Sequence, residues 1–219
     1  MSSVQDPPRI DTLADLLRGL GGIPAERVRF RPAPGTATER DVVEVERREN
    51  RLCELVDGVL VEKPMVYRES LLAMALGAWL RAFVARGNLG LVSGSDGMTR
   101  LFPGLVRIPD VAFASWQRIP GGVVPEDPIP DLTPDLVVEI LSRSNPEAEM
   151  ERKRAEYFAA GVRLLWILDP DRRVVEVSPA SGKPTVLGES ATLDGGEVLP
   201  GFSLQLRELF AELDRKAAP

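Results

Sequence analysis

The chain has 219 residues, a net charge of −6 and a pI of about 5.0, with 44% apolar and 27% charged residues. That supplies one domain with a proper core, or one domain plus a small appendage, and the mix excludes wholesale disorder. There is no histidine and one cysteine, Cys53, which excludes Ser-His-Asp and Cys-His hydrolases, histidine general bases and zinc sites built on imidazole or thiolate. Any metal must therefore be held by oxygen, which favours Mg²⁺, Mn²⁺ or Ca²⁺. Acid–base chemistry falls to carboxylates, lysine or metal-bound water. Lysine is scarce: the basic residues are arginine except for Lys63, Lys153, Lys183 and Lys216. The lone cysteine forms no internal disulfide, and a cytoplasmic setting is expected. The apolar run at residues 71–80 is too short to span a bilayer, and residues 1–10 lack the basic and apolar regions of a secretory signal, so no membrane partner is expected. The acidic balance counts mildly against a non-specific grip on nucleic acid.

Residues 1–50 read as an N-terminal appendage packed on the main body. Asp11 is placed to cap a short helix at 12–20 that stops at Gly21-Gly22. The Pro- and Arg-rich stretch VRFRPAPGTATERD follows, with little core-building material. Residues 52–56 and 59–63 flank Asp57-Gly58, a strong hairpin signal because both residues suit the positive dihedrals of a type I′ turn. Residues 67–86 carry Leu72, Leu76, Trp79 and Phe83 at helical spacing. Strands are predicted at 89–93 and 105–115, then a Pro-rich loop at 118–134, long enough to be functional or to lie at an interface. Residues 135–141 read as a buried strand. Ser144 and Glu147 form a capping-box pattern for the next helix, with Pro146 near its start and Gly161 after its last turn. A hairpin at 164–168 and 174–177 turns around Asp169-Pro170-Asp171, and a short amphipathic helix at 206–213 ends the chain. The central order is helix, strand, strand, strand, helix, strand. This is an α/β (α+β) pattern with helices packed on a sheet, divided as an appendage at 1–50, a main domain at 51–205 and a C-terminal helix and tail at 206–219.

Three carboxylates interrupt apolar patterns. Glu139 lies within LVVEIL, and alternation places it on the face of Val137 and Leu141. A covered carboxylate needs a partner or a cation, although a strand-end glutamate that reaches water fits the same pattern. Asp110, in RIPDVAFAS, aligns with Val106, Ile108 and Ala112; the plainer reading is a Pro-Asp turn residue. Glu69 heads the stripe Glu69, Leu72, Leu76, Trp79, Phe83; the plainer reading is a first-turn glutamate favoured by the helix dipole. Lys153 shares a helix face with Met150 and Tyr157 rather than with solvent, against the alternative of a snorkelling surface lysine. Two carboxylates on neighbouring strands with a nearby lysine are the parts of metal-dependent phosphodiester hydrolysis. The carboxylates hold one or two Mg²⁺, and the lysine orients the attacking water or stabilises developing charge.

The segments IPDVAFAS, PDLVVEILSRSNPEAEMERKRAEYFAAGVRLLWILDP and ELVDGVLVEKPM resemble the Uma-two family of restriction-endonuclease-like proteins, within the PD-(D/E)XK nuclease superfamily. The resemblance covers roughly residues 50–205, and the segment DGGEVLPGF shares it. It implies a restriction-endonuclease-like core, a central mixed β-sheet flanked by helices, with an extra N-terminal hairpin and helix. It further implies Asp110 and Glu139 as the two acids of the motif. The superfamily pattern places lysine two residues after the second acid, where this chain has Leu141; Lys153 matches the family's lysine on the following helix. Glu69 fits an acidic position on the first core helix, near which many relatives carry histidine. Glu62 is an auxiliary candidate.

The leading expectation is a Mg²⁺- or Mn²⁺-dependent DNA endonuclease in which Asp110, Glu139 and Glu69 hold metal and Lys153 assists water. The alternatives are a non-catalytic nuclease-fold module that binds nucleic acid or protein, and a metal hydrolase of small phosphoesters. A homodimer is expected, because two sites cut two strands most simply. Failure of Asp110, Glu139 and Lys153 to converge would defeat catalysis; an open groove favours DNA and a closed pocket a small substrate.

Overall fold

The computed structural model describes residues 11–64 and 66–217. Residues 1–10, read above for a secretory signal, and 218–219, at the end of the predicted tail, lie outside the described residues. Five α-helices are described, α1 (Leu13–Gly19), α2 (Glu39–Glu49), α3 (Tyr67–Gly87), α4 (Glu147–Ala160) and α5 (Leu206–Ala211). The strands are β1 (Cys53–Val56), β2 (Val59–Glu62), β3 (Gly90–Ser93), β4 (Thr99–Phe102), β5 (Leu105–Arg107), β6 (Val111–Ser115), β7 (Leu136–Ile140), β8 (Leu164–Asp169), β9 (Val174–Pro179), β10 (Thr185–Gly188), β11 (Thr192–Gly195) and β12 (Leu199–Gln205).

A six-stranded mixed sheet, ordered β10-β9-β8-β7-β6-β3, forms the centre. Its only parallel pair is β7 with β8, joined through α4. Alternation along β7 divides the core. Leu136, Val138 and Ile140 face α3, α5 and the β11–β12 hairpin, together with Trp166, Leu72, Leu76 and Phe210. Val137 faces the other way, into a cluster with Met150 and Tyr157 of α4. The length and composition of α3 would suit a membrane span, but its Leu72, Leu76 and Leu80 are fully buried against this sheet.

A second, four-stranded sheet, ordered β2-β1-β5-β4, carries the N-terminal segment. Val42 and Val45 of α2 pack with Cys53, Leu55, Leu60 and Val106, whereas Leu16, Leu20 and Ile23 cover Val56, Val59 and Val61. The β1–β2 turn has Asp57 at φ 50° and Gly58 at φ 70°, the conformation that Asp-Gly favours.

Several local features differ from the sequence reading. Thr12, not Asp11, caps α1, because its hydroxyl accepts the Asp15 N–H. The Pro- and Arg-rich stretch runs into a helix the reading did not include, α2, which begins at a Thr38–Asp41 capping box and buries Val42 and Val45. The strand expected at 105–115 is two strands in different sheets, broken at Ile108–Pro109–Asp110, where Pro109 has no N–H for a ladder. The Ser144–Glu147 capping box does not form. Pro146 keeps an extended ψ of 150° before the helix, and Ser144 Oγ instead meets Ser142 Oγ. With β4 also unread, α3 and α4 are separated by five strands rather than three, and β10, β11 and β12 follow the predicted hairpin.

Gly21 ties the N-terminal segment to α4. Its φ is +85°, and a Cβ there would lie 2.6 Å from Glu149 Cα. Gly21→Ala should therefore destabilise the fold by about 1–3 kcal/mol, measured by urea unfolding. An unchanged midpoint would show that this contact relaxes freely.

Candidate active site

The site lies at the seam between the two sheets. Glu139 is on the face of β7 that looks toward α4, and Glu54 is on β1 of the smaller sheet. α4 crosses between them, and Lys153 reaches both acids. Its Nζ lies 3.1 and 3.2 Å from the two carboxylate oxygens of Glu139 and 3.1 Å from Glu54 Oε1. Tyr157, one turn further along α4, donates its hydroxyl to Glu139 Oε1 at 2.5 Å. Arg107 of β5 donates to Glu54 Oε2 at 2.6 Å, and the Ile108 N–H donates to Glu54 Oε1 at 3.2 Å. Glu54, Arg107, Glu139 and Lys153 are all at most 5% exposed. The two acids and two bases offset one another's charge, which is what allows four ions under cover.

Asp110 stands where the chain leaves the small sheet for the large one. Its N–H still reaches the Val138 carbonyl, and its Oδ2 accepts the Ile140 N–H at 2.7 Å. These two bonds bracket Glu139 from the neighbouring strand. Its Oδ1 is 2.9 Å from Lys63 Nζ. Glu69, on the first turn of α3, has a buried Oε2 with no hydrogen-bond partner among the described residues. Glu54, Glu69, Asp110, Glu139, Lys63 and Lys153 all border one cavity of about 640 Å³.

Of the sequence candidates, Asp110, Glu139, Lys153 and Glu69 thus meet around one cavity. Glu62 is elsewhere: its carboxylate pairs with Arg29 and Arg51, because it is the last residue of β2 and turns toward arginines of the N-terminal segment and the β1 approach. The burial of Glu139 and Lys153 disposes of the solvent-facing alternatives for both. Leu141, at the usual lysine position, is half-buried against the α4 cluster. Sequence reasoning missed Glu54, Arg107 and Tyr157, and had Lys63 only as one of the chain's four lysines. A signal existed for Glu54, which interrupts the apolar run LCELV as Glu139 interrupts LVVEIL. Arg107 and Tyr157 carried none, since an arginine near a strand end and a core tyrosine are ordinary.

Burial and the neighbouring carboxylates of Asp110 and Glu54 raise the pKa of Glu139 despite Lys153. Glu54 moves the other way: Lys153 and Arg107 outweigh its burial and hold it well below the usual glutamate range. Glu139 and Glu54 raise Lys153, so its ammonium stays charged, and burial beside Glu139 raises the Tyr157 phenol. Tyr157 therefore remains a hydrogen-bond donor.

The donor set near Asp110 and Glu139 is entirely oxygen, the type that hard divalent cations prefer. No group of three or more His, Cys, Asp or Glu side chains among the described residues is arranged to enclose a metal. Mg²⁺ commonly takes one or two carboxylates and completes its shell with water and substrate phosphate, and Glu69, whose buried Oε2 has no partner among the described residues, is a further carboxylate bordering the same cavity. The residues fit a cation shared with a phosphate rather than one caged by protein.

The opposite shifts of the two glutamates separate their roles in stability. A lowered pKa stabilises the fold above the unfolded value, near 4.5, and this contribution fades as pH falls below it. Glu54→Gln should cost about 3–5 kcal/mol at pH 7, as expected when one partner of a buried ion pair is removed. The deficit should shrink below pH about 4.5. The raised pKa of Glu139 means that its ionised form adds less to stability than that of Glu54, so Glu139→Gln should cost less at pH 7. Urea titrations of both variants across pH 3–8 check this; equal costs at pH 7 would contradict it.

Comparison with known proteins agrees with this architecture. Residues 40–207 match the sequence model of the Uma2 family, described as "putative restriction endonuclease". A crystal structure of a "putative nuclease belonging to DUF820" from Anabaena variabilis superposes with a TM-score of 0.65 at 20% identity, covering 74% of this chain and 91% of that one. That likeness establishes a shared fold. A search of curated proteins finds no match. With more than half of its length matched and the mixed-sheet fold in common, the chain belongs to the Uma2 family of restriction-endonuclease-like proteins.

Proposed function

We propose that this chain is a Mg²⁺- or Mn²⁺-dependent endonuclease that hydrolyses DNA phosphodiester bonds. The observation that supports this most directly is the approach of Lys153 Nζ to both oxygens of Glu139, beside Asp110, at the edge of one cavity. In this reading Asp110 and Glu139 hold the cation, with Glu69 as an outer ligand. The bound cation supplies charge neutralisation at the phosphate and a lowered pKa for a coordinated water.

The chain's own groups account for the remaining requirements. Asp110 is fixed through Oδ2 by the Ile140 N–H, so its orientation is set by the sheet. The Tyr157 hydroxyl and the Lys153 ammonium hold Glu139 from the α4 side. Lys153 stays positively charged beside the reacting phosphate, where it orients the incoming water and offsets charge as it develops on phosphorus. Water attacks phosphorus and gives up a proton to solvent, the bond to the leaving sugar oxygen breaks, and the leaving oxygen takes a proton from solvent; no enzyme-bound covalent intermediate forms. A homodimer bringing two such sites to a duplex completes this proposal.

One observation favours a second reading. A cavity of about 640 Å³ lies within the range of small-ligand pockets, which suits a small phosphoester or a nucleotide held out of a duplex better than an intact helix. The experiment is incubation of the purified chain with plasmid DNA, single-stranded oligonucleotides and bis(p-nitrophenyl) phosphate, with Mg²⁺, Mn²⁺ or chelator. Metal-dependent DNA cleavage is expected, with losses of about 10²–10³-fold or more in Asp110→Ala and Lys153→Ala. Turnover of the small diester alone would favour the second reading. No turnover of any substrate and no metal binding would leave a non-catalytic module.

A further inference from the structure

Lys63 is an ion that the proposed chemistry does not use. It follows β2 and is only 10% exposed at the side chain. An ammonium has three N–H donors, and the geometry supplies three oxygens for them. Asp110 Oδ1 is 2.9 Å away, the Ile108 carbonyl 2.7 Å and the Ser95 carbonyl 3.2 Å. Oxygens of this kind also suit a hard divalent cation. Asp110 Oδ2 is already committed to the Ile140 N–H, so Oδ1 is the oxygen left to face a metal, and Lys63 is on it.

We propose that Lys63 is a built-in counter-ion that competes with the divalent cation for Asp110 and so sets the affinity of the site for metal. The inference rests on the metal-dependent reading above. Without metal, Lys63 offsets the charge of Asp110 beside Glu139. When a cation takes Asp110 Oδ1, two positive charges cannot share that oxygen closely, and the ammonium gives way. Its departure also releases the Ser95 carbonyl, which belongs to the turn between β3 and β4; Gly94, Ser95 and Asp96 of that turn border the cavity. Metal occupancy thereby loosens one wall of the cavity. Lys63 is a positioning residue in this scheme, acting through Asp110. Lys153 is different in kind, since it is held by two buried acids rather than one acid and two carbonyls.

The test is calorimetric titration of Mn²⁺ into the full chain and into Lys63→Met and Lys63→Arg. Removing one unit charge next to the cation should tighten Mn²⁺ binding by about tenfold in Lys63→Met, whereas Lys63→Arg, which keeps the charge, should stay near the wild type. A lysine with a merely structural role predicts weaker or unchanged binding in Lys63→Met. A second measurement needs no variant. The chain has four lysines, and with ¹³Cε-labelled lysine the Lys63 resonance should shift on saturation with Mg²⁺; an unmoved signal in metal-bound protein overturns the proposal. Equal Mn²⁺ affinity in wild type and Lys63→Met, with metal-dependent cleavage intact, overturns this inference alone. Absence of Mn²⁺ binding in both overturns it together with the metal-dependent reading.

Discussion

The arrangement of this molecule depends on one buried ammonium. Lys153 lies between Glu54 of the small sheet and Glu139 of the large one, the buried cation that the two acids share. The two sheets share no strand and meet through α4. A charge that must be satisfied from both sides fixes how far apart they stand and how α4 rotates between them. Apolar packing of Val137, Met150 and Tyr157 is less particular about rotation. Dispersion and burial bring the layers together, and the ion pairs choose among the packings that would bury similar area.

The same residue connects stability to chemistry. The lowered Glu54 and the raised Glu139 place two chemically identical side chains in opposite electrostatic states. Glu54 is locked by Arg107, the Ile108 N–H and Lys153, and serves as an anchor. Glu139 is strained by like charge from Asp110 and Glu54, and a cation at the cavity edge would relieve it. The cost is borne by the packed sheets around it.

Much of this was legible in the chain itself. Long periodic segments, such as residues 67–86, and Asp-Gly at the hairpin tip predicted their elements, because local sterics and one apolar face decide them. A carboxylate inside an apolar strand flagged Glu139, and a lysine aligned with Met150 and Tyr157 flagged Lys153. What escaped was non-local. Glu54 is 85 residues from Glu139 in sequence, and nothing in CELV says which distant base will meet it. The break at Pro109, which hands Asp110 from one sheet to the other, resembles an ordinary strand proline until the pairing is known. Helix α2 and strands β10 to β12 escaped for another reason: their signals are local but short, a Val42–Val45 stripe in α2 and pairings of β10 with β9 and of β11 with β12. Glu62 was a candidate only beside the family resemblance, and the positions of Arg29 and Arg51 take it elsewhere.

The buried Arg27–Glu149 pair, with two oxygens engaged at 2.8 and 2.9 Å, has a bearing on where the functional unit begins. Glu149 is one turn before Lys153 on α4, and its carboxylate also takes the Asn145 amide at 3.0 Å. Arg27 comes from outside residues 40–207, the span matched to the family. A protein trimmed to that span would retain every acid and lysine of the cavity, yet Glu149 would lose both its guanidinium and the Gly21 backbone that packs on it. The first turn of α4 would have to open to water, and the helix that presents Lys153 would lose its fixed starting point. Part of what holds the helix bearing Lys153 therefore comes from outside the span that the family shares.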